Sequence, residues 1–261
     1  MNNKLSICIT TFKEREEIVK TLISQIRDKA GIDNDIIVAV NGNNEEKMDD
    51  HYRKRMLQFF SEQKNCYPIF FPEFKCLSKI WNTLVIFSST EYNLILNDDV
   101  IFENADIVDA IEKKVTKTGT TFFTINNSFS HFVITKTELH NLGYFDERLI
   151  AFGEEDGDMV HRYIIKYGRS IPTAPAHGLH NFHAYEKSSN NLDVHIDNKP
   201  RFNREFIYKK YIRDDINGIY GMSPFPVKKI LDDIQQYPYE IFFIKNKHNI
   251  KHFQTIINEY S

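Results

Sequence analysis

The chain has 261 residues, of which 41% are hydrophobic and 13% aromatic, and its formal net charge is −3. This length and composition predict one large globular domain, or one domain with a smaller appendage. The small net charge argues against a general nucleic-acid-binding protein. The charge is uneven, because residues 199–261 hold 11 basic and 7 acidic side chains, whereas residues 1–198 hold 22 and 29.

Strand and helix patterns alternate along the first hundred residues. Apolar runs predict strands at about 5–10, 35–40 and 67–71 and from residue 92, with helices between them at about 13–28, 45–60 and 77–88. Strands separated by helices of this length predict a parallel sheet with crossover connections. The second half is less regular, with helices predicted at about 106–117, 136–142 and 154–167, strands at 120–125 and 131–135, and amphipathic helices over the last sixty residues.

Three cysteines, Cys8, Cys66 and Cys76, form no CxxC pair. They cannot all pair within the chain, and this indicates a reducing compartment. The N-terminus has no apolar segment of signal-peptide length, and no run approaches the about 18 apolar residues of a membrane span. We therefore expect a cytoplasmic protein, with its basic C-terminal region available for peripheral contact with a membrane surface.

The stretch Tyr92–Phe102 is the most informative in the chain. A buried strand is predicted to end at Asn97, and Asp98 and Asp99 follow it directly. Two adjacent carboxylates would be costly to bury without a cation, and the carboxyl ends of strands in open α/β sheets are where ligands bind. A hard divalent ion, completed by substrate phosphates, fits this position. Taken alone, the stretch is equally consistent with an acidic turn.

Four segments, in this order, resemble the GT-A-type glycosyltransferases of the inverting family 2. Ile7–Phe12 is similar to the first strand of that family. Asn97–Asp99 resembles its DxD motif, with Asn in place of the first Asp. Leu142–Glu147 is similar to the "GgFDe" segment, and Glu155–Arg162 resembles the "EDxDxxxR" segment. Each motif alone is weak, and their order and spacing together are specific.

The resemblance implies an α/β fold of the GT-A type, which is Rossmann-like with a mostly parallel central sheet flanked by helices. The segments that carry the resemblance are spread over about residues 4–185. The GT-A domain is predicted at 1–198, with a nucleotide-sugar-binding half at 1–103 and an acceptor and catalytic half at 104–198. Residues 199–261 form a helical, basic and aromatic extension outside the resemblance. Packing on the domain is the favoured role for this extension, and acceptor binding, membrane contact and an oligomer contact are alternatives.

The resemblance also implies the reaction, a metal-dependent inverting transfer of a sugar from a nucleotide-sugar to a hydroxyl acceptor. The donor is expected to be a UDP-sugar, the metal Mn²⁺ or Mg²⁺, and the acceptor a glycan, glycolipid or other molecule in surface polysaccharide or glycoconjugate synthesis. Asp99 would bind the metal, which neutralises the charge on the leaving diphosphate. His180, 24 residues beyond Asp156, would complete the metal site, with His183 as the alternative.

The acceptor hydroxyl needs a base, for which Asp156 is favoured and Glu155 is the main competitor. Asp156 lies in the first turn of a predicted helix, where the positive end of the dipole favours an ionised carboxylate. Acidic residues are common in first turns, so the residues alone favour a role in complementing the dipole. The resemblance shifts the choice towards a base.

The nucleotide pocket is predicted at the ends of the first strands. Asn41 stands where the family often has an Asp that pairs with the nucleobase, so recognition of the nucleobase is left open. Asn82 matches the Asn of an "Arg-Asn" pair, whereas Trp81 replaces its basic residue and is equally a candidate core side chain. The residues assigned to this pocket are Thr10, Thr11, Phe12, Asn41, Asn82, Asn97 and Asp98.

Two other functions stay open. A sugar-phosphate nucleotidyltransferase-like enzyme also uses acidic strand ends, but it predicts a Gly-rich loop after the first strand, and residues 11–14 lack one. A non-catalytic scaffold of the same fold is the third reading, and the presence of both Asp99 and Asp156 argues against it.

Overall fold

A seven-stranded sheet dominates the computed structural model of this protein. The structure describes residues 5–12, 15–42, 48–149 and 152–181, together with the short segments 203–204, 206–207, 210–213 and 227–230. Its strands are β1 Leu5–Phe12, β2 Ile36–Asn41, β3 Cys66–Phe70, β4 Tyr92–Asn97, β5 Val100–Phe102, β6 Phe122–Ile125, β7 Ser128–Thr135, β8 Thr173–Ala174, β9 Leu179–Asn181, β10 Tyr211–Arg213 and β11 Val227–Ile230. Its helices are α1 Glu16–Ser24, which continues as a π-helical turn at Gln25–Lys29, α2 Asp50–Ser61, α3 Leu77–Phe87, α4 Asp106–Thr118, α5 Lys136–Leu142 and α6 Glu155–Tyr167.

The sheet is mostly parallel, as the sequence predicts. Its strand order is β3-β2-β1-β4-β7-β6-β8. Strands β1 to β4 pair with one another in parallel, and β6 pairs in parallel with β8. Only β7 runs the other way, between β4 and β6. The residues of β2 are all buried, and so are those of β1 except its last, as expected for strands of a parallel sheet covered on both faces.

Helix α2 illustrates how the local sequence fixes the elements around the sheet. Asp49 caps the helix, because its side chain accepts a hydrogen bond from the backbone N–H of His51 at 2.9 Å. Tyr52, Met56 and Phe60 recur every four residues and are all buried. This spacing places them on one face of the helix, and the main hydrophobic core includes all three.

The chain divides into two compact units, each discontinuous in the sequence. Unit 1 consists of Met1–Lys75, Thr83–Glu138 and Pro172–Ala184, and it contains the whole seven-stranded sheet. Unit 2 consists of Cys76–Asn82, Leu139–Ile171 and Tyr185–Ser261. The domain boundaries predicted at 103 and 198 stay predictions.

The described part of the C-terminal extension is not purely helical. The sequence predicts amphipathic helices in this region, with an interruption around Pro224 and Pro226, whereas β10 and β11 form an antiparallel pair. Both segments contain β-branched or aromatic residues, which favour strands. Most of residues 199–261 lie outside the described residues. Within the described part of the chain, no helix combines the length and apolar character needed to cross a bilayer.

Candidate active site

The carboxylate pair lies in unit 1, where β4 ends and the chain turns into β5. Because β1 and β4 are parallel neighbours with Thr10 opposite Asn97, their carboxyl ends lie side by side. The Thr10 hydroxyl donates to the side-chain oxygen of Asn97 at 3.2 Å. The Thr11 hydroxyl donates to Oδ2 of Asp98 at 2.7 Å. The two strand ends that the sequence assigns to nucleotide binding are therefore joined by side-chain hydrogen bonds.

Arg15, which the sequence analysis does not single out, provides a cation at this position. Its Nη2 lies 2.9 Å from Oδ1 of Asp98 and 3.7 Å from Oδ2 of Asp99. The guanidinium carbon also lies 5.1 Å from the ring centroid of Phe12. Burial raises the pKa of Asp98 to about 7, and the charge of Arg15 and the Thr11 hydroxyl oppose this rise. Both partners of Asp98 therefore favour its ionised form.

Asp99 differs from Asp98 because one of its carboxylate oxygens makes no hydrogen bond to the described residues. Its Oδ1 is buried and has no hydrogen-bond partner within the described residues. A buried carboxylate oxygen without a partner is unfavourable unless a ligand supplies one. Mg²⁺ is typically held by one or two carboxylates together with substrate phosphates, so Asp99 fits the predicted metal role. Among the described residues, no group of three or more His, Cys, Asp or Glu side chains could hold a metal by itself.

His180 lies on β9, which pairs with β5 immediately after the carboxylate pair. It stands opposite Ile101 in this pairing, and its Nε2 is 3.7 Å from Oε1 of Glu103. Its side chain is half-exposed. Metal binding by His180 stays a prediction, and the alternative, His183, lies outside the described residues.

A second imidazole, His131, is buried on β7 opposite Leu96. In the described part of the structure, neither of its ring nitrogens has a hydrogen-bond partner. Burial and, to a lesser degree, the charge of His180 lower the pKa of His131 to about 4. His131 is therefore neutral at physiological pH, and nothing in the sequence pattern distinguishes it from the apolar strand around it.

At the end of β2, Asn41 is engaged with the chain itself. Its side-chain amide donates to the carbonyl of Lys75 at 2.9 Å and accepts from the Lys75 N–H at 2.8 Å. The next residue, Gly42, approaches the backbone of Glu73 so closely that a Cβ would lie 2.7 Å from its carbonyl carbon. Asn41 thus holds the segment before α3 in place, and its predicted contact with a nucleotide stays a prediction.

The segment that is predicted to carry the general base lies at the start of α6, in unit 2. Gly153 and Glu154 both have positive φ angles, 104° and 73°, immediately before the helix. A positive φ strains a non-glycine residue such as Glu154, and strained backbone of this kind clusters at functional sites. Glu155, Asp156 and Asp158 follow in the first helical turn, so the predicted acidic N-terminus is present.

The two candidate bases differ in their surroundings. Glu155 is buried, and burial, reinforced by the charge of Asp156, raises its pKa to about 8. Asp156 is half-buried, and its Oδ1 accepts from the N–H of Gly157 at 2.8 Å. Burial raises the pKa of Asp156 above its ordinary value of 3.8 as well, although the Gly157 N–H opposes this rise. A general base must be ionised and reachable, and Asp156 meets these conditions better than Glu155 near pH 7.

Asn82 and Trp81 belong to unit 2 through the beginning of α3. The Asn82 amide donates to the carbonyl of Phe145 at 2.9 Å and to Oε1 of Glu147 at 3.0 Å, and it accepts from the Phe145 N–H at 2.9 Å. Trp81 is buried, with its ring 4.9 Å from that of Phe145. Both residues therefore support the Phe145–Glu147 motif, and Trp81 is a core side chain. Nucleotide binding by Asn82 stays a prediction.

A buried ionic network links the two acidic motifs of unit 2 to the C-terminal extension. The ammonium of Lys210 lies 2.8 Å from Asp146 and 2.6 Å from Asp158. Arg148 pairs with Asp146 at 2.7 Å, and Arg162 pairs with Asp158 at 2.8 Å. Each of these side chains is 5% exposed or less. Lys210 of the extension therefore belongs to the interior of unit 2.

Comparisons with known proteins agree with this architecture. Residues 71–185 match the family described as Glycosyltransferase like family 2. This segment contains the carboxylate pair, the Phe145–Glu147 motif and the start of α6. No curated protein sequence matches the chain.

Solved structures of glycosyltransferases share the fold. S. aureus TarS superposes with a TM-score of 0.51 at 11% identity, over 79% of this chain and 42% of TarS. The mannosyltransferase PcManGT from Pyrobaculum calidifontis, in complex with GDP-Man and Mn²⁺, gives 0.53 at 10% identity, over 67% of this chain and 57% of that chain. A further TarS structure, in complex with UDP, gives 0.52 at 11% identity, over 79% and 70%.

Identities this low show the fold alone, and the chain spans less than half the length of the first TarS structure. The predicted GT-A fold is confirmed. The resemblance to family 2 glycosyltransferases is confirmed through the match of residues 71–185.

Proposed function

We propose that this protein is a glycosyltransferase that moves a sugar from a nucleotide-sugar to a hydroxyl acceptor, with inversion and with the help of a divalent metal. One observation carries the proposal. The carboxylate pair, in which Asp98 is buried and Asp99 is half-buried, stands at the carboxyl end of the central strand β4, and Oδ1 of Asp99 lacks a partner there among the described residues. The match of residues 71–185 to glycosyltransferase-like family 2 supports the same reading.

In this proposal, Asp99 holds Mn²⁺ or Mg²⁺ through its free oxygen, with His180 or His183 as a further ligand. When bound, the metal would act as a Lewis acid that neutralises the charge developing on the leaving diphosphate. Thr10 and Thr11 fix the strand ends through their hydrogen bonds to Asn97 and Asp98. A fixed arrangement matters because positioning accounts for much of the rate acceleration in transfer reactions.

Asp156 is the proposed general base. It would remove the proton from the acceptor hydroxyl as that oxygen attacks the anomeric carbon, while the bond from the anomeric carbon to the diphosphate breaks. The hydrogen bond from the Gly157 N–H fixes one of its oxygens. Its second oxygen then receives the proton. Attack opposite to the leaving diphosphate inverts the anomeric configuration.

The nucleotide and the acceptor are proposed only by class. A uridine or guanosine diphosphate sugar is the proposed donor, since fold neighbours have been solved with UDP and with GDP-Man and Mn²⁺. A glycan or glycolipid is the proposed acceptor, in the cytoplasm or at the cytoplasmic membrane surface.

The test is release of nucleoside diphosphate from a panel of UDP-sugars and GDP-sugars, with Mn²⁺ or Mg²⁺ present and Asp99→Asn as the control. The proposal expects metal-dependent release from at least one donor by the wild-type chain and not by the variant. Release of pyrophosphate from a nucleoside triphosphate and a sugar phosphate would instead identify a nucleotidyltransferase. A chain that binds no member of the panel would be a scaffold, and the proposed function would be wrong.

A further inference from the structure

Arg15 is a charged group that the proposed reaction does not itself require at the carboxylate pair. Its side chain is 5% exposed, and it contacts both carboxylates through the same nitrogen, Nη2. A guanidinium stays protonated in proteins, so this positive charge is permanent. Arg15 sits directly before α1 and is brought to the pair because β1, which precedes it, is the parallel neighbour of β4.

The contacts with Arg15 and Thr11 leave one of the four carboxylate oxygens of the pair free to bind a metal ion. Oδ1 of Asp98 faces Arg15, and Oδ2 accepts from Thr11. Oδ2 of Asp99 also faces Arg15, so Oδ1 of Asp99 is the oxygen that remains. With both carboxylates ionised, the pair and the guanidinium together carry a charge of −1, whereas the pair alone would carry −2. A divalent ion would therefore meet one free oxygen and a fixed positive charge nearby.

A bound nucleoside diphosphate would change both the charge of the site and the number of oxygen ligands that it offers to a divalent ion. Its phosphate oxygens supply further hard ligands of the kind that Mg²⁺ and Mn²⁺ prefer, and they add negative charge that offsets the guanidinium. Electrostatic interactions are strengthened in a buried site, because the effective dielectric constant is lower than in water. The Arg15 guanidinium therefore lowers the affinity of the site for a metal ion alone, but it does not oppose a metal ion that binds together with a diphosphate.

We infer that Arg15 is a positioning residue that makes metal binding depend on the nucleotide: it neutralises one charge of the carboxylate pair, so that the divalent ion binds strongly only together with a nucleoside diphosphate. This inference rests on the proposed function. It concerns how strongly the metal binds with and without the nucleotide, and it assigns Arg15 no direct part in breaking or forming a bond.

The experiment measures free Mn²⁺ by electron paramagnetic resonance during titration of the full chain, without nucleotide and with saturating UDP or GDP. The wild-type chain should bind Mn²⁺ at least tenfold more tightly with one of the nucleotides than alone. Arg15→Gln should bind Mn²⁺ alone at least tenfold more tightly than the wild type, and Arg15→Lys, which keeps the charge, should stay close to the wild type. Circular dichroism checks that each variant is folded.

The outcomes separate the two proposals. If neither nucleotide strengthens Mn²⁺ binding to the wild type, the inference about Arg15 fails, whereas the proposed function fails only if no nucleotide-sugar of the panel releases nucleoside diphosphate. If Arg15→Gln is folded and binds Mn²⁺ alone no more tightly than the wild type, the role of Arg15 is wrong whatever the nucleotide result. If Arg15→Gln does not fold, Asp98→Asn decides, because the inference predicts loss of binding to Mn²⁺ alone with binding retained when the nucleotide is present. If Asp98→Asn lost Mn²⁺ binding both without and with the nucleotide, Asp98 would be a direct metal ligand and the inference would be overturned.

Discussion

Replacing Lys210 by Met tests whether the C-terminal extension is an essential part of unit 2. The Lys210 ammonium is 1% exposed and lies between the fully buried carboxylates of Asp146 and Asp158. Met is similar in length but has no charge. Lys210→Met therefore leaves two buried carboxylates with one cation fewer, while most of the packing of the side chain is kept.

The expected cost follows from the burial of the network. Removing one partner of a buried ion pair typically costs about 3–5 kcal/mol, because the remaining charge is left uncompensated. Asp146 keeps Arg148 and Asp158 keeps Arg162 in the variant. We therefore expect a loss near the lower end of this range, about 3 kcal/mol, in the free energy of unfolding of unit 2.

The chain carries its own probe for this measurement. Trp81 is the only tryptophan, it belongs to unit 2, and it is buried against Phe145. Urea unfolding followed by tryptophan fluorescence therefore reports on unit 2. Arg169→Met is the control, since Arg169 is an exposed basic residue of the same unit, and a surface substitution should change stability by less than about 0.5 kcal/mol. A loss below about 1 kcal/mol in Lys210→Met, with unchanged urea dependence, would refute the reasoning.

The same variant has an expected pH dependence. Burial raises the pKa of Asp146, but the nearby cations Arg148 and Lys210 outweigh this effect and hold it well below its ordinary value of 3.8. Burial likewise raises the pKa of Asp158, and Arg162 and Lys210 lower it to below 3.8 overall. A lowered pKa contributes stability that is present above the ordinary value and is lost as the pH falls below it. The difference between wild type and Lys210→Met should therefore be larger at pH 7 than at pH 3.

Three further predictions concern the site residues. Asp99→Asn should abolish the Mn²⁺-dependent thermal stabilisation by UDP or GDP while the far-ultraviolet circular dichroism stays unchanged, and a retained Mn²⁺ effect would remove Asp99 from the metal site. Asp156→Asn should lower turnover by about 10² or more, with Glu155→Gln costing less; near-normal turnover, or a product that keeps the donor's anomeric configuration by NMR, would contradict the base assignment. Since burial raises the pKa of Glu155 from 4.5 to about 8, the wild type loses stability as the pH rises through this interval, so Glu155→Gln should gain melting temperature relative to the wild type at pH 8 but not at pH 4, and an equal difference at both would refute this.

The elements that the sequence predicts well are those whose signal is local. The apolar run ending at Asn97 predicts a buried strand, and β4 ends at that residue. Likewise, the acidic first turn that follows Glu154 predicts a helix start, and α6 begins at Glu155. Periodicity and short motifs encode such features directly, because they depend on neighbouring residues.

The contacts that sequence reasoning misses are those between distant positions. Arg15 and Asp98 are far apart in the chain, and their ion pair depends on the parallel pairing of β1 and β4. A basic residue in the first turn of a predicted helix ordinarily indicates a solvated surface. Lys210 is similar, since a lysine in a basic extension gives no sign that its ammonium is buried. The sequence leaves Trp81 open between a core side chain and a site residue, and its burial against Phe145 shows that it belongs to the core.

The close approach of Gly42 to Glu73 has a consequence for how freely this region can vary. A side chain at position 42 would collide with backbone, not with a movable side chain, so every substitution there must displace the segment that Asn41 holds. Lys75 gives Asn41 only its own backbone groups, so its side chain is dispensable for that interaction. A saturation mutagenesis map of the chain should therefore show an intolerant pair at 41 and 42, and a permissive position at 75, although all three contribute to one local structure.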